Sequence, residues 1–574
     1  MIGGRHSSSK KWILSVRFRG RFIDVSGRLF VCGHAMMAHT MARWRLFIAY
    51  PLVWILSLGW FALFQPWGRF NDPDAFYHAK ISALMSVQGP LHSFPWLDLT
   101  LFDKGFSDHH FLFHVLLIPF VRMFGMLYGN QVAAVVFAAT CVTGLYVILR
   151  GCRFSAPMVW TALALFCSPL IIRLSLGKAS PLAILFFLLG LFVMMHDLHR
   201  TDRMGEKSGL VSRLAPGFMI GFLYSWIHGG WIIVLVSQSI LMLGSLLVDR
   251  VVLERSWIVA IKDLAWHVLV MTAVGAIFGT LLHPNFPQNV LFLKTLLFDI
   301  SWNVPFQHVR LGDEWQPSTL VELWGGMGVL LSAGGIVLFG LVSASRRPLH
   351  VRHAKYAVGF GLLTALFFAL TLKSRRASEY LIPVFVIWLA SLWTLVDAKQ
   401  CWQILRVTWQ ELVGKYYRVL FYFLIVLGFT LVTHDIVGTW RVMHTQVHPF
   451  GEYQEAMHAI ANRAQPGDRV FHSDWDLFPQ LWMLNDRVHF IVGLDPTLLW
   501  ITDHDRSDAY RDIALGKTTD GVFEQIHDNF GARFVFLEKI SHQTFERTLE
   551  ADTRFVKIYD DPKVVVYELS TGAH

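Results

Sequence analysis

Charge is what this sequence lacks. Only 16% of its 574 residues are Asp, Glu, Lys or Arg, against 54% apolar; an ordinary soluble domain carries about a quarter charged residues. So little polar surface cannot cover so apolar an interior in water, which excludes a soluble globular protein and makes lipid the solvent of most of the chain. Cysteine is scarce too. Cys32, Cys141, Cys152, Cys167 and Cys401 all precede residue 440, and no pair has metal-ligand spacing, so neither a disulfide framework nor a cysteine metal site is indicated. The basic N-terminus (Lys10, Lys11, Arg17, Arg19, Arg21) has no apolar h-region and does not read as a cleaved signal; Met36, Met37 and Met41 are alternative starts. No internal repeat is visible.

What is there is a series of long apolar runs. A span needs about 20 mostly apolar residues, and roughly eleven segments qualify. Their cores are 46–65, 131–149, 156–173, 181–196, 214–228, 231–248, 264–282, 323–344, 356–372, 380–397 and 418–436. Segment 111–127 is as apolar, but His114 and Arg122 interrupt it, and it reads as a helix lying in the interface. The loop charges then fall into order. With the N-terminus inside, loops 150–155, 197–213, 249–263, 345–355 and 398–417 face the cytoplasm, and nearly all are basic. Loops 66–110 and 283–322 lie outside and hold most of the acids, as the positive-inside rule requires. Counting 111–127 as a span inverts every later loop. The formal charge of +9 belongs to these inner loops, so nucleic-acid binding is set aside.

Residues 440–574 change character. Charges become common, EYQEAMHAIANRA forms an amphipathic helix ending before Gly467, and DRVFHS, RVHFIVG, ARFVFLE, VKIYDD and VVVYEL read as strands. The fold expected is an α-helical polytopic membrane domain of about 11 spans plus a C-terminal soluble α/β domain. The divisions are a basic cytoplasmic segment 1–45, a membrane domain 46–439 and an outer domain 440–574, periplasmic if the membrane is a bacterial inner membrane.

Residues able to do chemistry cluster in the outer loops. FNDPDAFYHAK brings Asp72, Asp74, His78 and Lys80 just after a span. Carboxylates there serve as a base or hold a hard divalent cation; the same stretch also reads as a proline turn with solvated acids. DKGFSDHHFLFH offers Asp108, His109, His110 and His114, residue types that ligate metals but more often sit as polar groups in a wet interface. Glu314 lies in a fixed Trp-Gln-Pro loop. Arg375 and Arg376 stand on the outer side, against the charge rule. Arginine retained there suits phosphate binding, or snorkels to anionic lipid.

Set in order, these motifs resemble the C-type glycosyltransferase superfamily, nearest the catalytic subunit of oligosaccharyltransferase. Asp74-Ala-Phe-Tyr-His78-Ala-Lys80 resembles that family's first-loop Asp motif. Arg173-Leu-Ser-Leu-Gly177-Lys178-Ala-Ser180 resembles its second outer loop, and Tyr224-Ser-Trp226-Ile-His-Gly229-Gly230-Trp a span-to-span turn. Glu314-Trp-Gln-Pro317 resembles the loop with its catalytic-site Glu. Ser473-Asp474-Trp475-Asp476, followed by Asn485-Asp486-Arg487, resembles the acceptor-binding stretch that opens the soluble domain. The chain departs twice. Lys178-Ala-Ser180-Pro lacks the second loop's acidic metal ligands, and Asp474 stands where the acceptor motif has its first Trp.

The resemblance implies an enzyme that transfers a sugar or glycan from a polyprenyl-phosphate or diphosphate donor to an acceptor, protein or glycan, at the outer membrane face. Asp74, supported by Asp72 and Glu314, is expected as base or polarising carboxylate. Arg375, Arg376 and Lys178 are expected on the donor phosphate, and Trp475 and Asp476 on the acceptor. A divalent cation (Mg or Mn) held by Asp72, Asp74 and His78 is put in question by the missing acids. The rival is a transporter or flippase for a lipid-linked or anionic substrate, which usually shows paired halves. The topology is testable: reporters fused at His199 and Arg352 are expected in the cytoplasm and one at Gly451 outside. A cytoplasmic signal at Gly451 separates Asp476 from the compartment assigned to Asp74.

Overall fold

In lipid every backbone N–H and C=O must be satisfied within its own segment, and each apolar run is helical in the computed structural model, which describes residues 31–200, 210–303, 312–343 and 351–570. Most of the basic segment 1–45 and parts of the expected loops 197–213, 283–322 and 345–355 lie outside the described residues. Among the described residues, seven helices are long and apolar enough to cross a membrane, or eight if one bent pair counts as a span. The eleven expected are not all distinguished on that criterion, for local reasons. Run 46–65 belongs to the helix Val31–Phe64, of which Ile48–Phe64 is the described apolar part, and run 380–397 is the 16-residue helix Ser378–Trp393. Run 156–173 breaks into Pro157–Ala164 and Ser168–Ser175, bent by 76°; Pro169, at the start of the second helix, has no N–H to continue the first.

Segment 111–127 is helical and breaks at Gly125 (φ 76°, ψ 172°), so that Phe111–Gly151 is two helices meeting at a sharp reversal. The chain doubles back there, so that a Cβ on Gly129 would lie 2.5 Å from the Phe120 carbonyl oxygen. Only glycine adopts the one conformation cheaply and leaves room for the other.

The chain divides into two units, Met1–Val53 and Trp54–His574. The first contributes helical backbone from Val31. Everything that follows concerns the second. Its helix Tyr417–Thr445 needs lipid most plainly: Val419, Phe423 and Phe429 are 69%, 57% and 72% exposed. Elsewhere helices pack through small residues, as membrane helices do. Leu210–Ile227 and Trp266–Leu281 approach so closely that a Cβ on Gly221 would sit 2.0 Å from Thr272 O, and one on Gly275 2.0 Å from Phe218 O.

Beyond the last helix the chain forms the expected α/β domain. Strand β1 (Arg69–Phe70), in the first loop, pairs antiparallel with β2 (His448–Pro449). A five-stranded sheet follows from β3 (Arg469–His472), β4 (His489–Phe490), β5 (Ala532–Glu538), β6 (Phe555–Asp560) and β7 (Val564–Leu569), in the order β4-β3-β5-β7-β6. β3 is parallel to β4 and β5, whereas β7 runs antiparallel to β5 and β6. One core joins this domain to the first loop: the buried Trp482 lies 5.0 Å from Trp96 and 5.2 Å from Phe94, ring to ring. Ion pairs rim it, with Lys80 on Asp486 at 2.8 Å and Arg469 and His489 on Asp98 at 2.9 and 3.0 Å. Gly221→Val or Gly275→Val is expected to cost about 1–3 kcal/mol, as overpacking does, and to lower the thermal unfolding midpoint in detergent. Gly59→Val, where a Cβ meets nothing within 4 Å, should not.

Candidate functional site

The site begins where the chain leaves Phe64. Gln65 Nε2 donates to Ser175 O at 2.7 Å, and Gln131 Nε2 donates to Pro66 O and Arg69 O at 3.1 and 2.8 Å, which fixes the path of the first loop. Asp72 Oδ1 then accepts the Asp74 N–H at 2.9 Å, a turn that starts the helix Asp74–Gln88 and sets both carboxylates at its N-terminus. The second outer loop supplies their partner. Gly177 is pressed onto Asn130, whose Oδ1 a Cβ would meet at 2.0 Å, and Asn130 Nδ2 donates to Ala75 O and Gly177 O at 3.2 and 3.3 Å. This seam aims Lys178, whose Nζ lies 2.8 Å from Asp72 Oδ2 and 2.8 Å from Asp74 Oδ2. Burial opposes the charge on Lys178, but Asp72, Asp74 and Glu314 outweigh it, so its pKa is raised and it stays an ammonium. Asp72 is pushed up to about 6, chiefly by burial and also by Asp74, with Lys178 pulling the other way.

Two more loops close the far side. Ser374 Oγ donates to Glu314 O at 3.1 Å and Arg375 N to Gln316 O at 2.9 Å, so the expected fixed loop is tied to the arginine turn. Glu314 is gripped from both sides: Oε2 accepts from Arg173 Nη1 at 2.5 Å and Oε1 from Arg376 Nη1 at 3.0 Å. Arg173 Nε also donates to Glu379 Oε2 at 2.9 Å. Burial raises the Glu314 pKa, but Arg376, Arg173 and Lys178 together hold it well below the usual carboxylate range. Arg376 also lies over the Trp315 ring at 5.3 Å and 3.4 Å from His228 Nε2. Arg375 does not join the site; it pairs with Glu322 at 2.7 Å, both side chains nearly half exposed at 44% and 46%.

The C-terminal sheet domain completes the cluster. Asp474 caps the turn after β3 by accepting the Asp476 N–H at 3.1 Å, and a Cβ on Gly312 would stand 3.9 Å from Trp475 Cη2. Desolvation raises the Asp476 pKa although its side chain is exposed at the surface, and Asp74, Asp72 and Asp474 raise it further, so the first-loop acids lie within its electrostatic reach. Asp495, raised by burial, feels Asp74 and Glu314 too. Asp72, Asp74, Lys178, Glu314, Arg376, Trp475 and Asp476 are thus brought to one end of the bundle.

The metal expectation fares differently. Among the described residues no group of three or more His, Cys, Asp or Glu side chains is arranged to hold a metal ion. Asp72 and Asp74 share an ammonium, and His78 turns away to His114, Nδ1 to Nε2 at 2.7 Å. This donor set fits a fixed Lys side chain and not a divalent cation. Sequence reasoning missed Arg173, Glu379 and His228 as site residues. The signal was present in Arg173 and Glu379, ionisable residues at the ends of apolar runs, where charge is retained only with a partner.

His472, the last residue of β3, is 0% exposed, and its Nδ1 lies 2.7 Å from Asp474 O. Burial pushes its pKa down from 6.5 to about 4, against the bond to Asp474. The unfolded chain therefore binds this proton more readily, and the stability is complete above about pH 6.5 and lost as pH falls toward 4. His472→Gln is expected to flatten that part of the pH profile of thermal unfolding; an unchanged slope rules His472 out as its source.

No protein-family model matches the chain, and no curated protein sequence does. Solved structures do. The archaeal oligosaccharyltransferase AglB from Archaeoglobus fulgidus, in complex with an inhibitory peptide and a dolichol-phosphate, is similar at TM-score 0.58 and 12% identity, over 91% of this chain and 74% of that one. ArnT from Cupriavidus metallidurans bound to undecaprenyl phosphate is similar at 0.51 and 12%, over 91% and 97%. The arabinofuranosyltransferase AftD from Mycobacteria is similar at 0.52 and 12%, over 92% and 40%. The chain has the fold of the C-type glycosyltransferases, oligosaccharyltransferase among them.

Proposed function

We propose that this protein is a membrane glycosyltransferase that moves a sugar or glycan from a polyprenyl-phosphate or diphosphate donor to an acceptor at the outer face of the membrane. One observation carries the reading: Lys178 bridges Asp72 and Asp74 within the electrostatic reach of the Arg376–Glu314–Arg173 chain. A leaving phosphate needs positive charge held ready as its own negative charge develops. Arg376 presents a planar fork to phosphate oxygens, and Lys178 a point charge. Lys178 stands in for a divalent cation. Asp74, less buried than Asp72 (31% against 15% side-chain exposure), is the carboxylate an acceptor reaches, and it takes or polarises the acceptor's proton. Glu314 holds Arg376 and Arg173 in place, and Trp475 and Asp476 present the acceptor, a protein or a glycan. The neighbours with bound dolichol-phosphate and undecaprenyl phosphate support a lipid-linked donor; the membrane is taken as a bacterial inner membrane, with the sheet domain in the periplasm.

The test uses the full chain in vesicles with undecaprenyl-phosphate hexose and pentose donors, reading release of undecaprenyl phosphate. Asp74→Asn is expected to lose about 10²-fold or more of the turnover. Arg376→Lys should lose at least about tenfold, or ~1.4 kcal/mol of transition-state contact, whereas Arg375→Lys, on an exposed pair, stays near wild type. A chelator should leave turnover intact. Asp74→Asn turning over within about threefold of wild type removes Asp74 from the role, on the same scale.

A further inference from the structure

Asp108, His114 and His78, which the reading above leaves unused, form a hydrogen-bonded file away from solvent. They are 2%, 0% and 4% exposed. His114 Nδ1 donates to Asp108 Oδ2 at 2.7 Å, and His114 Nε2 lies 2.7 Å from His78 Nδ1. Asp108 is anchored separately: Oδ1 accepts the His110 N–H at 3.1 Å, and its own N–H donates to Asn285 Oδ1 at 3.1 Å.

This geometry dictates the resting protons. With Asp108 ionised, neutral His114 carries its proton on Nδ1 and a lone pair on Nε2. His78 must then donate from Nδ1, which leaves its own Nε2 as a lone pair. The surroundings hold that state. Burial lowers the proton affinity of His78, and His114, His110, Lys178 and His109 lower it further. Tyr77 meets the same ring edge-on at 5.4 Å, and burial with Asp108 and Asp74 keeps its hydroxyl protonated by raising its pKa. Burial raises Asp108, but the hydrogen bonds it accepts from the His114 ring and the His110 N–H oppose that, and its pKa stays low. On the loop beside Asp108, His283 is kept neutral, mainly by burial. The file thus runs from a buried carboxylate through two hydrogen-bonded imidazoles to the free Nε2 of His78, a path along which one proton can enter. It ends beside the site, because His78 follows Asp74 by one turn on the same face of the helix Asp74–Gln88.

We propose that Asp108, His114 and His78 are a proton relay that takes up the proton the acceptor loses during transfer, an inference that rests on the glycosyl-transfer reading above. The acceptor heteroatom bonds to the anomeric carbon as its bond to hydrogen breaks. The carbon–oxygen bond to the phosphate breaks, and its electron pair leaves with the phosphate. The proton passes from Asp74, directly or through one water, to His78 Nε2; the proton on His78 Nδ1 crosses to His114 Nε2. His114 becomes an imidazolium paired with Asp108, and the proton later returns to water by the same route. Without the carboxylate that cation would be buried and unpaired, which is costly. His114 and Asp108 act through His78 and are positioning residues.

The experiment compares Asp108→Asn and His78→Gln with wild type and Asp74→Asn, all as full chains in vesicles with the donors named above. An amide keeps the shape of Asp108 but not its charge, and Gln keeps a bond to His114 but passes no proton. Either variant is expected to lower kcat at least tenfold while leaving the donor KM and the unfolding midpoint unchanged, and His78→Gln decides alone if Asp108→Asn does not fold. Wild-type kcat in the folded variants, with Asp74→Asn inactive, overturns the relay and leaves the transferase reading standing. A wild type that releases no undecaprenyl phosphate from any of these donors overturns the transferase reading, and the relay with it. A readout independent of substrate is the nitrogen-15 NMR of histidine-labelled protein at pH 7, assigned by difference against His78→Gln. His114 and His78 should both be neutral and protonated at Nδ1. An imidazolium at either position, or His78 protonated at Nε2, overturns the relay whatever the activity.

Discussion

The site depends on one ammonium. Lys178 draws Asp72 and Asp74 to 2.8 Å each, and without it two carboxylates would face each other at the edge of a low-dielectric bundle, where like charges raise each other's pKa and do not both stay ionised. The backbone is shaped to put it there. Gly177 must pass against Asn130 where no side chain fits, and the Asx turn at Asp72 must present both acids on one side of the helix start. Substituting Lys178 by an uncharged residue would leave buried charge without a partner, a loss larger than the worth of any single surface ion pair.

The C-terminal sheet domain is held to the helical part through a shared apolar core. Trp482, Phe94 and Trp96 form one aromatic core shared by the first loop and the sheet domain, and β1 and β2 stitch the same loop to the chain just beyond the last helix. The first loop therefore carries the acids at one end and the domain's seat at the other. Packed on that core, the sheet domain holds Asp476 within the electrostatic reach of the acids and Trp475 near Gly312.

Much of this was legible in the residues. The apolar runs and the strands of the C-terminal domain follow from period and composition, and residues from the loops at 72–74, 178, 314 and 376 converge on one cluster. Asp74, Glu314 and Arg376 were visible as charges in the loops between apolar runs, and Lys178 and Asp476 through the motifs they sit in. What was not legible depends on direction. Arg375 and Arg376 are neighbours with the same chemistry, and only the turn at 375–377 sends one to Glu314 and the other to Glu322. Gly125 looked like an ordinary residue in an apolar run, yet its positive φ folds the chain back on itself. His78 read as a companion of the two acids because it lies close in sequence; its ring points along the helix to His114, a residue from another element.

The resting site also explains how charge is tolerated before a substrate arrives. Each cation already has a carboxylate: Lys178 has Asp72 and Asp74, Arg376 has Glu314, and Arg173 has Glu314 and Glu379. A buried charge left alone is strongly destabilising, so a site kept empty of ligand must be paired internally. On the proposed reading a donor phosphate does not add a partner to a bare cation; it competes with carboxylates for cations that are already held. As the phosphate takes a share of Lys178, Asp74 is released from part of its ion pair at the moment the acceptor's proton must leave. The same exchange that seats the leaving group thereby readies the base, and the carboxylates that stabilise the empty fold become the ones that act when it is filled.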